Sequence, residues 1–490
     1  MKKINLIVAG LVGALTLNAQ DFNSALRFSE SFVEGDGRYM AMAGALSSLG
    51  GNVSAMSVNP ASSASFKKSV FELSPAYIYA KSENYYHGGY DKAFSTALKM
   101  PSMGLVYYKP MAQNDIFVSG LSFAFSYNAQ NRYSETLNFT NRTPNSSLTD
   151  DFLRLVSMGE KDPFYQDLAV GTKLVAYDDP TGTYFTDFVN IYGDKDYDGL
   201  NQKVQIDREG QKNEYLFNIG VNFTEWVYFG ADLTLSNLYY RETTVVREND
   251  EGNDKEYFNN YVYTQDYDVV GNGVGGKFGV IVRPIEYVRI GAAIHTPVTY
   301  NISEDGEYNI KAEYDKPLID GDDRIQYSQT ETNVYDYKIG QPAKFVGSLG
   351  FVYKNVANFG VDFESMNYSQ CTFTSDDALM MDRSSQIAEE LKAVNNIKCG
   401  GEFRYGPFMF RAGYAMYGNP YKNVSGDKFY RNDYSAGVGL ATNTVYCDLA
   451  WLRAKSKQTN DFYRDLKGNL VSSHSTIKRD NITFTIGFKF

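Results

Sequence analysis

"NITFTIGFKF", residues 481–490, closes the chain with an uninterrupted alternation. Ile482, Phe484, Ile486, Phe488 and Phe490 fall on one face, and Thr483, Thr485, Gly487 and Lys489 on the other. A period of two belongs to a β-strand with unlike environments on its two sides. A run of about nine residues is also what a tilted strand needs to cross the hydrocarbon of a bilayer.

Working back from this stretch, the same pattern returns. Val445, Cys447, Leu449 and Trp451 form one row, and Tyr434, Ala436, Val438 and Leu440 its neighbour. Phe408, Phe410, Ala412 and Tyr414 follow, then Ile397, Cys399, Gly401, Phe403 and Tyr405. Ala357, Phe359, Val361 and Phe363 pair with Phe345, Gly347, Leu349, Phe351 and Tyr353, and earlier rows begin at Val288, Phe278, Val227, Tyr215, Phe117, Ala93 and Val70. The count is about fourteen strands, and in lipid their backbone groups are satisfied only by closing the sheet. Connections after the even strands are short ("KPMAQND", "FTEW", "RPIEY", "KNVA", "YGP", "ATNT"), while those after the odd strands are longer. That alternation predicts periplasmic turns, extracellular loops and both termini on the periplasmic side. The fold class expected is therefore all-β, a transmembrane antiparallel β-barrel. Trp226, on one short turn, fits an interfacial aromatic belt.

Composition agrees. The chain has 40 Tyr, 32 Phe and 42 Gly among 490 residues, usage that suits aromatic girdles around a barrel. Mean hydropathy is only −0.38 because half of each strand faces away from lipid. A net charge of −11 offers no basic footprint for nucleic acid. Three Cys build no disulfide framework; Cys371 and Cys399 flank a loop and are open to pairing, whereas Cys447 reads as lipid-facing. At the N-terminus, Lys2 and Lys3 precede an apolar run from Ile4 to Leu17, then Leu17-Asn18-Ala19, the order of a secretory signal peptide cleaved after Ala19.

Three regions are expected: a signal peptide at 1–19, a plug at 20–68, and a barrel at 69–490 with long loops at about 130–213, 247–271, 304–341, 373–396 and 457–479. Fourteen strands enclose a lumen too wide for wall side chains to fill, and the segment before Val70 lacks strand alternation. The economical arrangement folds that segment back inside.

"RYMAMAGALSSLGGNVSAMSVNPASSASF", residues 38–66, resembles the N-terminal hatch of the FadL/TodX family of outer-membrane transporters for hydrophobic compounds. "YLFNIGVNFTEWVYFGADLTL", "GKFGVIVRPIEYVRIGAAIHTPVTY" and "QPAKFVGSLGFVYKNVANFGVDFESMNYS" are similar to its hairpins, so the likeness spans nearly the whole mature chain. The chain departs from the pattern at Ala43, Gly51-Asn52 and Ser62-Ser63. Terminal Phe490 resembles the signature by which the barrel-assembly machinery recognises outer-membrane barrels. The resemblance implies passive uptake of hydrophobic molecules, long-chain fatty acids being the leading case, by a monomer in contact with outer-membrane lipid. It also implies lateral release beside a kink in the third strand, for which Gly120 in "FVSGLSFAF" is the candidate. The rival is a barrel of the same kind acting as a surface-binding or secretion-assembly partner.

Candidate site residues follow. Asn59, Pro60 and Ala61 form the hatch step; Asn59 either bonds plug to wall or initiates a turn, and Pro60 stiffens it in both cases. By parity Asp362, Glu364, Lys398, Glu402, Arg404, Arg411 and Asp448 face the lumen, as a polar path, as plug anchors, or as a structural ladder of paired charges. Phe152, Leu155 and Val156 share a helical face, either an extracellular capture surface or a packing surface for other loops. Asp194, Asp196 and Asp198 in "DKDYDG" match the start of a calcium loop, although Gln205 stands where the closing Glu belongs. The three His residues (His87, His295, His474) have no Ser or Asp partner in an identifiable pattern, and no nucleotide or cofactor motif is present, so no enzyme activity is expected.

Overall fold

The computed structural model describes residues 22–111, 117–143, 146–158, 166–186, 200–250, 257–317, 323–375, 378–422 and 429–490. The signal-peptide segment and the aspartates at 194, 196 and 198 lie outside the described residues.

Fourteen antiparallel strands close into a barrel. They are β1 (Val70–Tyr86), β2 (Gly89–Pro110), β3 (Gly120–Arg132, continued by Glu135–Thr143), β4 (Leu200–Phe223), β5 (Val227–Asn249), β6 (Phe258–Ile285) and β7 (Val288–His295, continued by Val298–Tyr314). The rest are β8 (Asn333–Gln341, continued by Lys344–Tyr353), β9 (Ala357–Asn367), β10 (Ala393–Tyr405), β11 (Phe408–Gly418), β12 (Phe429–Ala441), β13 (Val445–Arg464) and β14 (Leu470–Lys489). Closure is made by the C-terminal strand: β14 pairs with β1 from Val70–Lys489 to Tyr85–His474. Phe484, Phe488 and Phe490 are exposed, whereas Thr483 and Thr485 are fully buried.

The even-to-odd connections among the described residues are the short turns expected. Trp226 sits exposed on one, and Tyr287 and Tyr353 stack at 6.2 Å across two others. The outer connections differ from expectation. β1 and β2 join through the two-residue turn His87-Gly88, with φ of 45° and 84°, and β13 runs to Arg464 before β14 resumes at Leu470. Much of the sequence expected as loop is strand that rises beyond the bilayer. The reason is an inversion of polarity along the barrel. Near the membrane the outside is apolar, as at Phe278, Val274 and Val270 on β6. Higher on the same strand the apolar residues turn inward, with Tyr267, Tyr263 and Tyr261 buried and Asp266 exposed. No single alternation rule follows a strand through that crossover.

The interior is filled by two sources of chain. Residues 22–69 contribute α1 (Phe22–Ser29), α2 (Gly37–Ala41), α3 (Val53–Met56) and a 3₁₀ turn at Pro60–Ser65. The outer connection between β3 and β4 adds α4 (Leu148–Ser157) and α5 (Gln166–Gly171), and α6 (Ala378–Glu390) lies between β9 and β10. Ser147 and Asp150 form a reciprocal capping box at the start of α4.

Candidate functional site

The site is the contact between the N-terminal segment and the wall. At Asn59 the side chain works in two directions. Its Oδ1 accepts from the Ala61 N–H at 3.1 Å and caps the 3₁₀ turn. Its Nδ2 donates to the Ser47 carbonyl at 2.9 Å and to the wall carbonyl of Val280 at 3.3 Å. Both readings of this residue are therefore realised in one geometry: it begins a turn, and it ties plug to barrel. Pro60 and Ala61 are buried beside it, and the Pro60 carbonyl accepts from Asn218 Nδ2 at 3.0 Å.

Room for this step is made by glycines that the sequence reading did not single out. Gly220 is paired with Gly230, and Gly230 with Gly279, so three neighbouring strands present glycine at one level. A Cβ at Gly220 would stand 2.2 Å from Ser63 Oγ, at Gly230 2.2 Å from the Pro60 carbonyl carbon, and at Gly279 2.0 Å from Asn59 Oδ1. A second row, Gly350–Gly360–Gly400–Gly413, is likewise in direct register and lies under Leu49, Ala45 and Met42. Glycine inside a strand signals close approach of another backbone, and recurring inward glycines were the clue available in the sequence.

The lumen-facing charges come together as inferred from parity, in two groups. Lys398 bonds Glu364 at 2.6 Å. Arg411 bridges Glu402 at 2.7 Å and Asp448 at 2.6 Å, while Arg404 reaches Glu402 from a more exposed position. Both groups also hold the plug: Arg38 pairs with Glu402 at 3.1 Å, and Asp362 accepts from the backbone and hydroxyl of Ser47. Further anchors come from residues outside the candidate set. Lys277 donates to Ser57 O at 2.8 Å, His295 Nε2 lies 2.8 Å from Val58 O, and Lys212 donates to Phe28 O at the end of α1 at 2.7 Å. Within the plug, Asp36 accepts from Tyr39 N, Ser54 N and Asn52 Nδ2. Glu30 accepts from the Tyr430 hydroxyl, and burial in the lumen pushes its carboxyl up to about 7.

Around the first helix of the plug the lumen becomes apolar. Ala25, Leu26 and Phe28 of α1 pack among Tyr240, Tyr267, Tyr300 and Ile339. Higher still, Phe152, Leu155 and Val156 are almost fully buried in an aromatic cluster with Phe139, Tyr261, Tyr263 and Tyr314. Their shared helical face thus packs against the barrel interior and other outer elements rather than presenting an open surface; the amphipathic pattern reads alike for both. Cys371 and Cys399 are unbonded to each other, and Cys371 lies 3.5 Å from Ser29 Oγ.

The wall is interrupted between β2 and β3. β2 and β3 pair from Pro110–Gly120 to Ser102–Asn128, and there the ladder stops while β3 continues on β4. At the break, Gln130 is an extra residue between Ala129 and Asn131 in the β3–β4 register, and its carbonyl accepts the backbone N–H of Phe32 at 2.8 Å. The next turn of plug is tied there too, by Arg132 to Glu34 at 3.3 Å. Beyond the break the continuation of β3 runs along the inner face of β1, where Ser82 and Asn84 donate to the carbonyls of Thr136 and Asn138. Gly120, expected at the kink, instead begins β3 at the periplasmic end against Tyr108. An irregularity of register carries no residue signature of its own, which is why glycine was a poor guide to it.

A closed antiparallel barrel with an apolar outer belt, aromatic interfaces and a folded N-terminal segment in its lumen defines a plugged multi-pass β-barrel of the outer membrane. In particular, its fold is that of the FadL/TodX channels. A FadL homologue of Pseudomonas aeruginosa superposes with a TM-score of 0.54 at 14% identity over 94% of this chain and 100% of its own. The Pseudomonas putida toluene transporter TodX gives 0.52 at 12%, over 94% and 100% of the two chains. The CymD monoaromatic hydrocarbon channel gives 0.50 at 11%, over 94% and 99%. No family model and no curated protein matches the sequence.

Proposed function

We propose that the protein is a passive outer-membrane channel for hydrophobic small molecules, long-chain fatty acids being the first candidates and monoaromatic compounds the second. The observation that carries this reading is the coupling of plug to wall break: the extra residue Gln130 that interrupts β3 holds Phe32, and Arg132 holds Glu34. A ligand would enter among the outer aromatic elements, replace α1 contacts in the apolar layer at Tyr240, Tyr267 and Tyr300, and leave sideways between β2 and β3. Sideways release keeps an apolar solute out of water throughout, so no energy source is required. Its structural neighbours TodX, a toluene transporter, and CymD, a monoaromatic hydrocarbon channel, support the ligand class.

The density of hydrogen bonds around the plug favours one rival, a barrel that binds a surface or secretion partner without passing solute. Mass spectrometry of small molecules retained after mild detergent extraction tests the two. Fatty acid or aromatic hydrocarbon bound in stoichiometric amount supports the channel. Empty barrels across several preparations, with a co-purifying protein, would overturn it.

A further inference from the structure

On the lipid-facing side of β13, β14 and β1 the apolar belt gives way abruptly to cations. Outward along β13 the exterior positions read Leu449, Trp451, Arg453, Lys455 and Lys457; along β14, Ile482, Asp480 and Lys478; along β1, Tyr77, Tyr79, Lys81 and Glu83. The register sets Lys455 opposite Lys478 and Lys478 opposite Lys81, so three lysines stand side by side on three adjacent strands. Like charges directly opposite each other destabilise a sheet unless something neutralises them. At the level of these lysines the described residues of the three strands offer two carboxylates, and both are committed. Glu83 bonds Lys81 at 2.7 Å and Lys478 at 2.8 Å, and Asp480 is held by both arms of Arg453 and by the Trp451 indole. Arg453 is taken up by Asp480, and Lys81 and Lys478 share the single carboxylate of Glu83, so the row Lys455–Lys478–Lys81 carries excess positive charge on a chain whose net charge is −11.

The opposite wall has the reverse balance. Across the barrel the first charged rows on β5, β6 and β7 are Arg241–Asp268–Asp305 and Thr243–Asp266–Glu307, four carboxylates against one cation. Just below the lysine row, Trp451, Ile482, Tyr77 and Leu98 form a continuous apolar strip in direct register. A phosphate at the level of the lysines, with acyl chains along this strip, satisfies both surfaces at once, and charge-assisted contacts at a membrane surface are less screened than in bulk water.

We propose that this patch is a binding site for the phosphate-bearing headgroup of an outer-leaflet glycolipid. The test uses the full-length barrel in dodecyl maltoside, stripped of lipid and incubated with bis-phosphorylated lipid A, with adducts read by native mass spectrometry. The wild type is expected to hold lipid A, and a Lys81→Gln/Lys455→Gln/Lys478→Gln variant to hold it at least about tenfold more weakly. Dephosphorylated lipid A should bind both proteins as weakly as the variant binds lipid A. Arg241→Gln on the opposite wall should bind like the wild type, and the heat-induced gel shift reports that each barrel is folded. Should the triple variant fail to fold, Lys455→Gln alone is expected to weaken binding about fivefold. Equal retention by the lysine variants, no adduct on the wild type, or equal loss in Arg241→Gln would overturn the proposal. So would displacement of lipid A by millimolar inorganic pyrophosphate, which would make this a site for free phosphate.

Discussion

Pro60 lies against Gly230 so closely that a single added methyl at 230 would stand 2.2 Å from the Pro60 carbonyl carbon. The plug is therefore seated on bare backbone, and its position is set by what the wall lacks as much as by what it bonds.

Gly230→Ala should push the Asn59-Pro60-Ala61 step off its seat at a cost of about 1–3 kcal/mol, the usual range for overpacking. Planar-bilayer recordings should show more frequent openings than the wild type, with a lower unfolding temperature. Gly347→Ala is the control, since nothing lies within 4 Å of a Cβ there. Unchanged conductance and stability in Gly230→Ala would mean that the plug yields freely at this point.

Arg411 and Arg404 both touch Glu402 yet should behave differently. Arg411 is 1% exposed and its loss leaves buried Asp448 without its cation, so Arg411→Met should destabilise by about 3–5 kcal/mol, although Glu402 keeps Arg38 and Arg404. Arg404 is 39% exposed, and Arg404→Gln should cost no more than about 1 kcal/mol. Thermal unfolding in detergent measures both; equal losses would refute the assignment of the buried triad as the structural member.

Glu30 gives the plug a pH dependence with a definite sign. Its carboxyl is raised from the ordinary 4.5 to about 7 by burial, so the folded state holds a proton that the unfolded state has released. Stability of the plugged state should then fall as pH rises from about 4.5 through about 7, the window between the two values. Protease nicking of the N-terminal segment at several pH values should accelerate across this window. Glu30→Gln should flatten the response; a variant that keeps the wild-type slope places the titrating group elsewhere.

Deletion of Gln130 should restore the β3 register and remove the carbonyl that holds Phe32. If the break is the exit, uptake of radiolabelled oleate by proteoliposomes should fall to the level of protein-free liposomes while the barrel keeps its heat-modifiable gel shift. Full uptake with the residue deleted would rule out this exit.

The barrel, its strand number and its lumen-facing charges were legible because each rests on alternation, a local property that survives in one dimension. Asn59 was legible as a hatch residue only through resemblance, since an Asn-Pro step reads equally as a turn. Phe152, Leu155 and Val156 show the limit of periodicity: it identifies an apolar face and not what covers it. The outer strand extensions escaped because their polarity inverts above the membrane, so that Tyr261 and Tyr263 point inward where Val270 and Val274 point out.

The sequence alone determined the closed antiparallel sheet, since period-two runs of bilayer length have no other way to satisfy their backbones in lipid. Only the tertiary structure decided where the plug rests, which charges grip it and where the wall is broken. Those depend on register: the pairing that stacks Gly220, Gly230 and Gly279 at one level, sets Lys398 beside Glu364, and leaves Gln130 without a place in the ladder. Register arises between strands, and no single strand's residues state it.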